Sequence, residues 1–318
     1  MKRSIAWLVL LGAVNASHPA LAQYPTKPIR VIVTLAAGGP ADLTARAVAE
    51  PLSRALGQPV LVENKPGADG AIAAEAVRNS PPDGYTLLWA TSGAMVGVPL
   101  LHKNPPYDPV SGFTPVSFVG RFTLLIFEHP EVPAKSLGEF VEYARSKPGK
   151  LSYAHSALVE AVAAAQISKF AGITLVRVPY KGGTSVISDL VAGRVQIGFM
   201  PASIGLPQVK QGRLRALATL LPRRSLAAPD VPTLAEAGFP TPATPWAAVF
   251  GPAGMPPEIV ERMSHEINLA LDLPEVRAQF ERQVFQGEGS TPQALTAFVK
   301  QELRTWGQAI RDAGMTLE

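Results

Sequence analysis

Val31, Ile32 and Val33 form a short run of β-branched apolar residues that ends at Gly38-Gly39-Pro40, and from Ala41 the apolar positions change period. Leu43, Ala47 and Leu52 then share one helical face, so the pattern predicts a buried strand, a glycine turn and a helix. Glycine frees the backbone at the turn, Pro40 pre-sets the first helical turn, and Asp42 suits the positive end of the helix dipole. The alternation recurs: residues 59–64 read as a second strand, 65–70 as its turn and 71–79 as an alanine-rich helix. Residues 85–90 read as a third strand, and Thr91-Ser92-Gly93 opens into a helix near Ala94. Strands alternating with helices imply a parallel sheet, and ligands bind such sheets beyond the carboxyl ends of the strands. The turns at 36–42, 67–70 and 91–93 are therefore expected to meet at one edge. Free N–H groups at helix starts would suit that edge to a small anion, although a plain structural turn has the same local pattern.

Downstream, a proline-rich link at 105–109 leads into extended segments at 116–122 and 124–127, the second of which enters a new domain. Residues 136–146 have the spacing of an amphipathic helix, with Ser136 and Glu139 as its capping box. A second series follows: strand 151–155, helix 157–170, strand 175–180, turn 182–184, helix 185–192, and strands 195–199 and 214–220. Residues 221–245, rich in proline and alanine, read as a return crossing to a strand at 246–250 and helices at 256–271, 274–283 and 292–313. The expected fold is α/β, with two lobes around a ligand cleft and each lobe a mostly parallel sheet flanked by helices. Residues 23–122 with 241–318 would form lobe 1, and residues 123–240 lobe 2.

The first 22 residues change the picture of where this chain works. Lys2 and Arg3 precede a short apolar run at 5–14, and Ala20-Leu21-Ala22 is a small-x-small cleavage signature. This is the pattern of a secretory leader, so the mature chain is expected to begin at Gln23 and to reside in the periplasm. The apolar run is too short to span a bilayer. The 29 basic residues less Lys2 and Arg3 leave 27 against 25 acidic ones, which is no footprint for nucleic acid. The absence of cysteine rules out disulfides, thiolate metal sites and a cysteine nucleophile.

Catalytic patterns are missing too. The histidines show no HExxH spacing, no GxSxG elbow is present, no GKS/T loop follows a strand, and Gly38-Gly39 does not complete GxGxxG. Neither a metal nor a cofactor is expected. His155 ends a strand, where either a cleft residue or a plain hydrogen-bonded histidine would sit. Lys181 and Arg194 could charge the cleft or simply be solvated. What remains is a set of turns rich in Gly, Ser and Thr donors, suited to binding without transformation.

The Tyr24-Pro25-Thr26-Lys27-Pro28-Ile29-Arg30 start and the Gly38-Gly39, Asp42 and Ala45-Arg46 run resemble the opening of the Bug, or TctC-type, extracytoplasmic solute receptors. Glu63-Asn64-Lys65-Pro66-Gly67-Ala68-Asp69-Gly70 is similar to the family's ENxPGAGG turn. Asp83-Gly84-Tyr85-Thr86, Pro106-Tyr107-Asp108-Pro109, Val178-Pro179-Tyr180-Lys181-Gly182 and Asp230-Val231-Pro232-Thr233-Leu234 continue the resemblance over the mature chain. The resemblance implies a type II periplasmic-binding-protein fold that closes on a small carboxylate for the membrane subunits of a tripartite tricarboxylate transporter, with the receptor a monomer. It implies a lobe 1 site at Gly38, Gly39, Asp42, Gly67, Gly70, Thr91 and Ser92, to which the adjoining Leu35, Ala37, Pro40 and Ala41 are added as candidates. In lobe 2 it implies Ser156, Lys181, Gly182, Gly183 and Thr184, and His155, Met200 and Pro201, which stand beside them at strand ends, are added as candidates.

The chain departs from the family where the second lobe should hold its ligand. The loop after Tyr153-Ala154 runs His155-Ser156-Ala157-Leu158-Val159-Glu160 and lacks the usual glycines; Gln196 stands for an acid, Met200 for a polar residue and Leu35 for an aromatic. Ala157, Leu158, Val159 and Met200 would offer apolar surface, favouring a monocarboxylate with an apolar end over a di- or tricarboxylate such as citrate. A sensory or interaction protein of the same fold is the alternative, and an enzyme would need an acid/base pair across the cleft.

Overall fold

In the computed structural model, which describes residues 24–239 and 244–314, each expected glycine turn separates a strand from a helix. The first half of the chain runs β1 (Ile29–Val33), α1 (Pro40–Leu56), β2 (Val60–Asn64), α2 (Ala71–Arg78), β3 (Thr86–Thr91), α3 (Val98–Leu101), β4 (Phe113–Phe122) and β5 (Leu124–Glu128). There follow α4 (Leu137–Arg145), β6 (Ser152–His155), α5 (Leu158–Ala171), β7 (Val176–Pro179), α6 (Gly183–Val191), β8 (Ile197–Pro201), α7 (Ala202–Lys210) and β9 (Arg215–Thr219). The chain closes with β10 (Trp246–Pro252), α8 (Pro257–Asp272), α9 (Pro274–Arg282), β11 (Phe285–Gly287) and α10 (Pro292–Ala313). The leader, its cleavage point after Ala22 and the expected lobe boundary at 240/241 lie outside the described residues.

Two sheets form the two lobes. The first has the order β11-β4-β10-β3-β1-β2 and the second β7-β6-β8-β5-β9. Among the described strands, parallel ladders are confined to the trios β2-β1-β3 and β7-β6-β8, whose turns were read from the sequence. β10 runs antiparallel between β3 and β4, and β5 runs antiparallel between β8 and β9. Both sheets are therefore mixed, not mostly parallel as expected, because the strands on which the chain changes lobes are laid in against the parallel trio. The outward crossing is the single residue Thr123, between β4 and β5.

The lobes are not separately packed. Beneath α1 and α8, one face of the first sheet buries Val31, Val33, Leu52, Trp89, Met263 and Ile267. On its other face, Ile32, Leu88 and Ala73 join a core that continues through Met95, Leu158, Val162 and Trp306 to Phe199 of the second sheet. Helix α5 lies inside that continuous core. Residues Leu158 to Ala164 are all buried, and their alanines let neighbouring helices approach closely. Trp89, Trp246 and Trp306 are interior residues, as expected of large apolar side chains.

Helix α7 carries Gly205 and Pro207, which read as breakers in sequence. The ring of Phe127 presses so closely on Gly205 that a Cβ there would lie 2.2 Å from it, so tertiary packing selects a helix with a glycine at that point. The expected helix near Ala94 begins as a wide π-type turn, Gly93–Gly97, before α3.

Candidate functional site

The three turns of lobe 1 do meet. Thr34 and Thr91 bring their hydroxyls to 3.4 Å, and the Asn64 side-chain amide donates to the Leu35 carbonyl at 3.0 Å. Gly70 is the pin between them. Its φ of +97° is open to glycine, and a Cβ there would lie 2.9 Å from the Cβ atoms of both Thr34 and Ala94.

Asp42 has a structural occupation. It is buried, with Oδ2 accepting the Gly38 N–H at 2.9 Å and Oδ1 accepting Arg46 Nε at 2.9 Å. Burial alone would raise its pKa, but the bonds from Arg46, Gly38 and Asn64 together hold it below the usual carboxylate range. The Gly38 N–H is thereby taken. The donors that the first turn of α1 leaves without an intrahelical partner are those of Ala41 and Asp42, since Pro40 has no N–H. Ala37 and Gly38 are exposed, Leu35, Gly39, Pro40 and Thr91 half-buried, and Ala41, Gly70 and Ser92 buried; Gly67 is exposed.

In lobe 2, His155 and Ser156 stand where β6 ends, and Gly182, Gly183 and Thr184 start α6 after β7. Lys181 and Thr184 are exposed, and Gly182, Gly183 and Pro201 are half-buried. Two expectations are corrected here. Met200 is wholly buried, because its register opposite Leu125 turns the side chain into the packed interior of the second lobe. Leu158 and Val159 are likewise interior; Leu158 packs on the π-type turn, with its Cδ2 2.6 Å from where a Gly97 Cβ would be. Neither they nor Met200 presents an apolar wall to a ligand.

Three residues matter here that the sequence reading passed over. Arg177, on β7, donates from Nε to Nε2 of buried His155 at 2.8 Å, which assigns the imidazole proton to Nδ1. Burial and the Arg177 charge push the His155 pKa down to about 4, so the ring is neutral near pH 7. Asp69, exposed in the second turn of lobe 1, has its pKa raised, partial desolvation outweighing the lowering fields of Arg177 and His102. The Leu158 Cβ and the Asp69 carbonyl lie 3.6 and 3.9 Å from where a Gly93 Cβ would be, which sets the lobe 1 turns against the start of α5. Glu160 lies one turn into α5 with 1% of its surface exposed, and its Oε2 accepts from the N–H groups of Ser156 at 2.6 Å and Ala157 at 3.0 Å. An acid three residues after the N-cap position, Ala157, was the available signal. Gln196 is used within the sheet, where its Oε1 accepts from the Ser152 N–H at 2.9 Å.

Among the described residues no group of His, Asp or Glu could hold a metal ion, and no helix is long and apolar enough to cross a membrane. A cavity of about 370 Å³ lies between α8, α9 and β11, lined by Asn268, Asp272, Arg277 and Glu288 among others, and it shares no residue with the converging turns. The turns outweigh that cavity as a candidate, because they join free helix-start donors to a facing lobe.

Known proteins resemble this chain over nearly its whole length. The model of the family described as "Tripartite tricarboxylate transporter family receptor" matches residues 44–315. The chain is 36% identical to Protein BugT of Bordetella pertussis over 317 residues, covering 98% of this chain and 97% of that protein. The solved structure of a periplasmic transporter, 36% identical, superposes with a TM-score of 0.85 over 93% of this chain and 100% of its own. The structure of R. palustris Rpa4515 with adipate, 30% identical, superposes with a TM-score of 0.84 over 92% of this chain and 99% of its own.

Proposed function

Since the chain belongs to the tripartite tricarboxylate transporter receptor family, whose Bug and TctC-type members bind solutes in the periplasm without catalysis, we propose how it captures its ligand. A carboxylate sits where the three lobe 1 turns converge. It accepts from the N–H groups of Ala41 and Asp42 at the start of α1 and from the hydroxyls of Thr91 and Ser92. The second lobe, through Ser156 and the segment Lys181 to Thr184, closes over the other end of the molecule, and the loaded receptor then docks on the membrane subunits of its transporter as a monomer.

The observation that carries this reading is the convergence itself, in which Gly70 wedges between Thr34 and Ala94 and brings helix-start donors together beside hydroxyls. Adipate in the R. palustris relative supports the carboxylate class. The lobe division at 123 and 240/241 is supported by the sheet memberships, with β4 and β5 in different sheets. Cleavage after Ala22 is part of the same proposal and is tested by N-terminal sequencing of the exported protein; recovery of a chain still carrying residues 1–22 in membranes would refute it.

Thermal-shift titration with a panel of mono- and dicarboxylates tests the ligand class. A ligand at 100 times its Kd adds about 2.7 kcal/mol to the native state, a readily seen rise in melting midpoint. Stabilisation by amides or sugars and by no carboxylate would overturn the proposal. Small-angle scattering on the ligand-bound protein is expected to show a smaller radius of gyration than the free protein.

A further inference from the structure

Glu160 is a carboxylate sealed inside the protein at the point where the second lobe would otherwise greet an anion. Its Oε2 gathers three donors: the N–H of Ser156 at 2.6 Å, the N–H of Ala157 at 3.0 Å and the Ser156 hydroxyl at 3.3 Å. They belong to the two residues that join β6 to the 14-residue helix α5. No ion pair reaches Glu160 among the described residues. The carboxylate thus occupies the positive end of α5 much as a bound anion would, and it does so without a balancing cation.

The rest of that edge does not restore the balance. His155 offers a neutral ring whose Nε2 is already occupied by Arg177. Arg177 is itself exposed, so solvent screens its charge. Lys181 is exposed, and solvent screens its charge, whereas the charge of Glu160 is unscreened. A ligand carboxylate arriving at Ser156 and Ala157 would meet donors already spent and a like charge close behind them.

We propose that Glu160 is a specificity-determining residue, an internal anion that occupies the Ser156 and Ala157 donors of lobe 2 and restricts the receptor to ligands with a single anionic end, held by lobe 1. This rests on carboxylate capture by lobe 1 and narrows the ligand class within it. The far end of the ligand is neutral, either apolar or an amide or hydroxyl.

Calorimetry with a matched series tests it: hexanoate, adipate and the monoamide of adipic acid, equal in chain length and differing at one end. The measurements are made at pH 8, because burial raises the Glu160 pKa to about 7 against the opposing bonds from Ser156 and Ala157. Hexanoate or the monoamide is expected to bind wild type at least tenfold more tightly than adipate. In Glu160→Gln, which keeps an acceptor for the helix N–H groups and loses the charge, that ratio is expected to shrink tenfold or more. Adipate binding wild type as well as or better than both partners overturns the inference, and this arm needs no variant to fold. A ratio unchanged in a Glu160→Gln protein with native circular dichroism overturns it too, and reduces Glu160 to a helix cap. If none of the three acids binds wild type, lobe 1 capture of such acids fails first and the inference falls with it, an outcome distinct from binding in the wrong order.

Discussion

Substituting Gly70 by alanine tests the convergence of the turns directly, and Gly38→Ala supplies the control. Both glycines have positive φ, +97° at Gly70 and +78° at Gly38. A side chain in that region costs roughly 1–2 kcal/mol at either position. The two sites differ in what surrounds them: a Cβ on Gly38 would meet nothing within 4 Å, whereas one on Gly70 would lie 2.9 Å from the Cβ atoms of Thr34 and Ala94. A Cβ cannot rotate away, so relief requires the turns to move apart, at a further cost of about 1–3 kcal/mol typical of an overpacked interior. Gly70→Ala should therefore lose roughly 2–5 kcal/mol and Gly38→Ala roughly 1–2. Urea denaturation followed by the fluorescence of buried Trp89, on the adjacent strand β3, measures both. Gly70→Ala should also weaken the binding of any carboxylate found for wild type, because the donors are pulled out of register. Equal losses for the two variants would refute the reasoning, since they would leave strain as the only contribution and the packed junction without effect.

Asp42→Asn should lose about 1–2 kcal/mol by weakening the bonds to Gly38 and Arg46. Since the folded Asp42 pKa is lowered, that contribution is present above about pH 4 and fades as pH falls further, so the gap between the two proteins in thermal denaturation should narrow in acid. Glu160 has the opposite sign: burial raises its folded pKa to about 7, so ionisation opposes folding and stability falls as pH rises from the ordinary glutamate range through 7. From pH 5.5 to 8 this amounts to about 2 kcal/mol, Glu128 adds in the same direction, and Glu160→Gln should flatten the slope; a flat profile in wild type would refute it. Leu158→Ala should cost about 2–5 kcal/mol as a buried cavity, and because Leu158 seats on the π-type turn of the other lobe, scattering should also show a more open free protein.

The parallel trios and their turns were legible because a change of apolar period from strand to helix is a local signal. Their meeting at one edge followed from topology alone. The roles of individual polar residues did not follow. Asp42 looked like a ligand group, but a carboxylate two residues inside a helix can bend back to the turn before it, and only the coordinates reveal the Gly38 bond. Met200 and Leu158 looked available because a sequence shows polarity and not facing; strand register and interlobe packing decided both. Arg177 was overlooked between two valines on an exposed edge strand, where a charged residue ordinarily just meets water. Helix α7 and the three-residue strand β11 were missed because a close contact from Phe127 and the pairing with β4 determine them, and neither partner is near in sequence.

The position of β10 constrains the order in which this molecule can be completed. It lies between β3 and β4, yet the ribosome delivers it after β5 through β9. While the second lobe is being synthesised, β3 and β4 each present an unpaired strand edge in a chain that already contains most of the first lobe. Such edges invite pairing with other chains until residues 246–252 arrive to join them. A nascent or truncated chain that stops before Trp246 is thus left with an open first sheet, and the finished receptor is sealed from its carboxyl-terminal third backwards.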